Sequence, residues 1–346
     1  MTTALPLDVS SSAAKKRRSR GRRILLVGGL LAAGAAAGVA RRRLSGAGSD
    51  AQPAEDDARH ALGWGDGVAR PEHQIVHTPD GAQLAVWDLP GDGPKAPVVV
   101  LPHCWGCSHE IWLPVARRLR EQGNRVVLYD QRGHGRSTRG TAPLALDTLA
   151  HDLEAILEAT AVHDVVLAGH SMGGMTIMAL GTYRPEVMRA RAKAVVLVAT
   201  SATAAAYGSL GRGPQLAGAV TASPLLSKAM LSKGGHHLVR GAFGTSPVRS
   251  HVLLTRDLFA NCDGSVRGDF AVTFGTMNLL EGIATIDVPT TVMVGTRDTL
   301  TVPKKADQMV STIPGSRLVT LKDKGHMLPL EDPDAVTDEI VRAVKG

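Results

Sequence analysis

Along most of the chain, short runs of β-branched residues alternate with longer stretches whose apolar positions recur every three or four residues. The short runs predict strands at residues 74–77, 84–88, 97–101, 125–130, 164–168 and 193–199. They are too brief for helices, and Gly, Pro and Asp bound them. The periodic stretches predict helices at 111–121, 146–160 and 172–183. The first two strands, separated by "TPDG", read as a hairpin. After them strand and helix alternate, which implies an α/β fold: a mostly parallel central sheet with helices on both faces. The rhythm breaks from about 201 to 286, where helical fragments appear without a strand. That stretch reads as a helical cap inserted over the sheet. Alternation resumes with a strand at 288–295, a helix from Pro303, a strand at 317–321 and a last helix from Asp334.

The N-terminal part follows none of this. It divides into a basic tail (1–23), an uncharged apolar segment (24–40) and a flexible linker (41–71), ahead of the folded body at 72–346. The net charge of +7 changes the picture only once it is located. Ten of the 39 basic residues and one of the 32 acidic ones lie in residues 1–46, leaving 29 against 31 for the rest. A phosphate-binding surface belongs on the folded body, so nucleic acid is set aside as a partner. The segment 24–40 has seventeen uncharged residues between "KKRRSRGRR" and Arg41-Arg42-Arg43. It is expected to be a membrane anchor, as a transmembrane helix, or an export signal, with small residues at its end. The larger basic block lies on its N-terminal side, which puts the catalytic body outside the cytoplasm, in or beyond a bacterial-type envelope.

Three cysteines, Cys104, Cys107 and Cys262, are too few for a disulfide scaffold or a four-cysteine zinc site. Cys104-Trp105-Gly106-Cys107 is a C-x-x-C after an apolar run, which raises a dithiol redox protein as one reading. The chemistry elsewhere is more complete. Gly169-His170-Ser171-Met172-Gly173 is a G-x-S-x-G between a strand and a helix, the context in which a strained turn exposes a serine hydroxyl. A serine needs a base, and the base needs an orienting acid. Asp298 follows the strand at 288–295 and His326 follows the strand at 317–321. No Asp or Glu occurs between Glu186 and Asp257, so no competing acid follows the strand ending near Ala199.

With the elbow, this acid and histidine order, and "YDQRGHGRS" at 129–137, the chain resembles the α/β-hydrolase superfamily, in particular its esterase- and lipase-like members. The resemblance covers about 74–344 and implies an α/β-hydrolase fold with a cap at about 201–286. It implies a serine hydrolase acting on carboxylic esters, with Ser171 as nucleophile, His326 as base and Asp298 as its orienting acid. The resemblance assigns the oxyanion hole to the backbone N–H groups of Trp105 and Met172, with Cys104 standing where the family usually has glycine. It treats Asp130 and His134 as structural. It requires no metal and no organic cofactor. The implied partner is a small-molecule ester with an apolar acyl group. Acyl transfer, thioester hydrolysis, C–C bond hydrolysis and cofactor-free perhydrolysis share the same triad, and the fold alone does not separate them.

Overall fold

The computed structural model describes residues 71–204 and 213–346. The basic tail, the apolar segment 24–40 and, apart from Pro71, the linker 41–71 lie outside the described residues. The expected transmembrane helix is corrected: among the described residues no helix is long and apolar enough to cross a membrane. The reason is length. The longest described helices have 13 or 14 residues, whereas a span needs about 20 apolar ones. The segment 24–40 itself sits at the lower limit of that range and is rich in Ala and Gly.

Eight strands form one sheet: β1 (Gln74–His77), β2 (Gln83–Leu89), β3 (Val98–Pro102), β4 (Arg125–Tyr129), β5 (Val165–His170), β6 (Ala192–Val198), β7 (Thr290–Gly295) and β8 (Arg317–Leu321). Their order is β1-β2-β4-β3-β5-β6-β7-β8. Strand β2 runs antiparallel to both β1 and β4, and every other pairing is parallel. Successive residues of a strand face opposite sides, so near-continuous apolar runs feed two cores. Val99, Leu101, Val166 and Ala168 pack on one face, and Val100, Leu167 and Val195 on the other.

Helices α1 (Leu113–Glu121), α2 (Leu146–Ala159), α3 (Met172–Tyr183) and α4 (Pro185–Arg191) lie between the strands up to β6. The predicted helix at 111–121 begins as a 3₁₀ turn, His109–Trp112. Helix α2 turns Leu149, Leu153 and Ile156 to the sheet, the spacing of one helical face. Helix α3 is buried from Met172 to Gly181 and lies on the same side. Helix α1 and the final helix cover the opposite face through Val115, Leu119, Val336 and Ile340. Between β6 and β7 the described cap residues form α5 (Gly213–Ala222), α6 (Pro224–Leu231), α7 (His236–Arg240), α8 (Arg249–Asn261), α9 (Gly264–Thr276) and α10 (Leu280–Ile283). At its neck the Leu279 N–H donates to the Ala202 carbonyl at 2.7 Å. Helices α11 (Pro303–Thr312), α12 (Leu328–Glu331) and α13 (Pro333–Lys345) complete the chain.

The "DQRGHGRS" segment braces the loop after β4. Asp130 accepts the N–H groups of His109 and Arg136, each at 2.8 Å, and the His109 Nδ1–H at 2.8 Å. Gly135 has φ +53°, and a Cβ there would overlap the Asp130 carboxylate. Arg132 is buried between Asp152 and Asp80, with closest contacts of 2.6 and 2.7 Å. Its planar fork thereby ties this loop to α2 and to the β1–β2 turn. These contacts are structural.

Candidate active site

The site is built where β5 runs into α3. The predicted strand extends two residues further than its apolar run, to His170, because β5 pairs with β6 up to His170↔Val198. The chain then turns at Ser171, which has φ 53° and ψ −113°. A non-glycine residue in that region is strained, and such strain is typical of functional turns. The two motif glycines make the turn possible. A Cβ at Gly169 would meet the Gly173 backbone, and one at Gly173 would overlap the Pro102 carbonyl. Thr200 Oγ donates to the Ser171 carbonyl at 2.6 Å and packs against Gly174. The serine is therefore held at the first turn of α3, where orphan N–H groups and the helix dipole favour negative charge.

His326 and Asp298 come together as expected from their positions after β8 and β7. His326 Nδ1 lies 3.0 Å from Asp298 Oδ2. Because a carboxylate only accepts, Nδ1 carries the proton and Nε2 keeps its lone pair. Asp298 is itself pinned: Leu300 and Thr301 N–H donate to Oδ1 at 2.8 Å each, and Thr301 Oγ donates to Oδ2 at 2.7 Å. Burial works against the Asp298 carboxylate, but the His326 and Thr301 contacts outweigh it and hold the group below its ordinary value. The acid is therefore ionised at neutral pH.

One tether was not visible in the sequence. His170, the variable residue of the elbow, donates from Nε2 to the His326 carbonyl at 2.8 Å, and the two rings lie 5.0 Å apart. It places the histidine loop beside Ser171, although its partner is 156 residues away. Among the described residues Ser171 Oγ and His326 Nε2 are not hydrogen-bonded to each other. In free enzymes that link is often long and tightens when substrate binds.

The loop carrying Trp105 lies against the start of α3, since Gly173 faces the Pro102 and His103 carbonyls. Met172 opens the helix, so its N–H is one of the four without an intrahelical partner. Cys107 N–H donates to the Cys104 carbonyl at 3.3 Å, closing a turn with Trp105 and Gly106 at its corners. The residue that needs positive φ in this turn is Gly106, at +70°, and Cys104 is not among the positive-φ residues. The departure from glycine at 104 thus costs the loop no backbone strain. Gly106 and the Trp105 ring pack on Phe259 of α8, and Trp105 also meets Phe274 of α9, with ring centroids 5.1 and 5.7 Å apart. From behind, Gln131 holds the loop: its N–H donates to His103 Nε2 at 2.9 Å, its side-chain N–H to the His103 carbonyl, and its oxygen accepts from Thr176 of α3 at 2.7 Å.

Cys104 and Cys107 are buried free thiols. The neighbouring Cys104 sulfur and burial both push the Cys107 thiol well above its ordinary value. A redox-active dithiol needs the reverse, an accessible thiolate. Among the described residues no cluster of His, Cys, Asp or Glu is arranged to hold a metal.

Burial keeps three imidazoles here uncharged, with His103 pushed down to about 3, His134 to about 4 and His170 to about 3. In the unfolded chain they titrate near ~6.5. Between that value and about 4 the unfolded state therefore binds protons that the native state refuses, and stability falls as pH falls. The depressed Asp298 and Asp130 act in the same sense at lower pH, as pH drops through their folded values. Asp152 and Glu331, raised by burial, oppose the trend but are fewer than the imidazoles. Thermal unfolding measured from pH 7 to pH 4.5 should show a progressive loss of Tm. A flat profile would contradict buried neutral histidines.

A family model described as alpha/beta hydrolase fold matches residues 97–333. Over 100 residues the chain is 38% identical to the bifunctional esterase/perhydrolase DCH of Acinetobacter calcoaceticus, a stretch covering 29% of this chain and 35% of that protein. Over 94 residues it is 38% identical to 3-oxoadipate enol-lactonase 1 of Acinetobacter baylyi, covering 27% of this chain and 35% of the relative. The matched stretch thus spans about a third of the length of these curated relatives. The structure is similar to bromoperoxidase from Bacillus anthracis, with a TM-score of 0.67 at 21% identity, over 80% of this chain and 100% of that one. At that identity the likeness is one of fold alone.

Proposed function

The chain belongs to the α/β-hydrolase family, and from that premise we propose that it hydrolyses carboxylic esters through an acyl-enzyme on Ser171. The observation that carries the proposal is the Asp298–His326 hydrogen bond of 3.0 Å, on a loop tethered by His170 next to the strained serine. His326 Nε2 takes the Ser171 proton as Oγ attacks the ester carbonyl. Asp298 holds the ring in the Nδ1–H tautomer and stabilises the imidazolium. The Trp105 and Met172 N–H groups receive the developing oxyanion. On collapse, His326 returns the proton to the leaving alcohol. Water, deprotonated by the same imidazole, then attacks the acyl-enzyme, releases the acid and restores Ser171.

The cap supplies the substrate pocket. Trp105, Phe259 and Phe274 bring an apolar wall to the oxyanion loop, which suits an apolar acyl group. Both thiols are buried and that of Cys107 is raised, which argues against redox use of Cys104 and Cys107. One second reading has a specific support: the relative from A. calcoaceticus is an esterase/perhydrolase. Here the same acyl-enzyme would be intercepted by hydrogen peroxide to give a peracid.

Rapid mixing with p-nitrophenyl esters of graded acyl length tests the proposal. A burst of nitrophenol approaching one equivalent, followed by slower turnover, is expected for at least one acyl length. Turnover of none of the series would remove the ester-hydrolase reading. Peracid formation when peroxide is added would favour the second.

A further inference from the structure

We propose that Glu331 is the positioning residue for His326, and that it couples the cap to the histidine loop. The inference rests on the reading of His326 as the base. Glu331 ends α12, which starts two residues after His326. Its carboxylate collects the N–H groups on both sides of the histidine: Gly325 donates to Oε2 at 3.0 Å and to Oε1 at 3.1 Å, and Met327 donates to Oε1 at 3.1 Å. A fourth bond comes from the cap, where the Gly244 N–H donates to Oε2 at 2.6 Å. The N–H of His326 itself donates back to the cap, to the Ala242 carbonyl at 2.7 Å. Three consecutive amides of the histidine loop therefore end on one carboxylate and one cap carbonyl.

The approach is close because each of the two loops has a glycine at the contact. A Cβ at Gly325 would lie 2.5 Å from Gly244 N, and a Cβ at Gly244 would overlap the Asp323 carbonyl. Lys324 fixes the backbone of the acceptor, donating from Nζ to the Glu331 carbonyl at 2.9 Å. Only an ionised carboxylate accepts from all these directions. A glutamine keeps one acceptor oxygen and turns an N–H₂ toward amides that are themselves donors. The carboxylate's hydrogen bonds all come from backbone N–H groups, not from the imidazole or Ser171. Its positioning effect passes through the backbone on which the imidazole stands, beside the attraction its charge exerts on the His326 imidazolium.

The test compares the full-length wild type with Glu331→Gln and Glu331→Ala. Ester kinetics and fluorophosphonate labelling are measured per folded molecule, with hydrogen–deuterium exchange of the peptides containing Gly244, Gly325 and Met327. A sub-ångström shift of the base lowers kcat, and a misplacement of this kind costs up to about 10²-fold. Glu331→Ala should approach that loss and Glu331→Gln should lose less, both with KM close to wild type. The three amides should exchange faster while the strands of the sheet do not. If Glu331→Ala does not fold, the glutamine variant, of equal size, carries the comparison. A wild-type kcat in either variant despite faster exchange, or unchanged exchange at the three amides, would overturn the proposal. A wild type that itself neither turns over nor labels would instead overturn the reading of the site, and this role with it.

Discussion

Replacing Ser171 with alanine should abolish ester hydrolysis and fluorophosphonate labelling while leaving the protein folded. The expected loss in kcat is on the order of 10⁶-fold, the scale seen when a serine nucleophile is removed. Folding is spared because the hydrogen bonds that hold the elbow do not involve Oγ. Those run through the Ser171 backbone, from its N–H to the Val198 carbonyl at 2.9 Å and from Thr200 to its own carbonyl at 2.6 Å. A companion variant separates strain from chemistry. Ser171→Gly is equally inactive but sheds the left-handed strain at φ 53°, which costs about 1–3 kcal/mol for a residue with a Cβ. Its Tm should therefore exceed that of Ser171→Ala. Residual activity of Ser171→Ala near the wild-type rate would mean that another group attacks the ester.

The second large effect is expected at Asp298. Asp298→Asn should lower kcat by about 10⁴-fold with little change in KM. The amide can present its N–H₂ to His326 Nδ1, which moves the ring proton to Nε2 and removes the lone pair that Ser171 needs. The backbone donors Leu300 and Thr301 still find the asparagine oxygen, so the loop keeps its shape. Asp130→Asn makes the useful contrast. Asp130 also pairs with a buried histidine, His109, at 2.8 Å, yet its other partners are two backbone amides, that of Arg136 in the bracing loop and that of His109 itself. Its loss should lower Tm and leave kcat per folded molecule near wild type. Steady-state kinetics and thermal unfolding of the two variants side by side decide the assignment. The reverse pattern would make Asp130 the working acid.

The parts of this site that follow local rules were legible in the sequence. Gly169 and Gly173 had to flank Ser171 because the turn excludes a Cβ at both, and the spacing of three fixed letters records that. Asp298 and His326 each follow a short apolar strand, and a parallel sheet brings the ends of such strands to one edge. The sheet and its helices could be read because β-branched runs and helical stripes have different periods. What stayed hidden depends on contacts distant in sequence. His170 looks like an arbitrary letter inside the motif until its bond to the His326 carbonyl is seen. Thr301 and Glu331 look like surface polar residues beside a strand end and a helix end. Gly106, not residue 104, carries the unusual backbone angle of the Trp105 loop, and no composition rule distinguishes the two. The expected membrane helix came from charge and apolar length alone, and the described helices are all too short to supply one.

The most direct test of Ser171 as the nucleophile is to locate the covalent adduct. Wild-type protein is reacted with a fluorophosphonate, digested and mapped by tandem mass spectrometry. One adduct per chain is expected, on Ser171 in the peptide carrying Gly169-His170-Ser171-Met172-Gly173, and none on Asp298→Asn within the time that saturates wild type. An adduct on Cys104, Cys107 or a serine away from the elbow would contradict it.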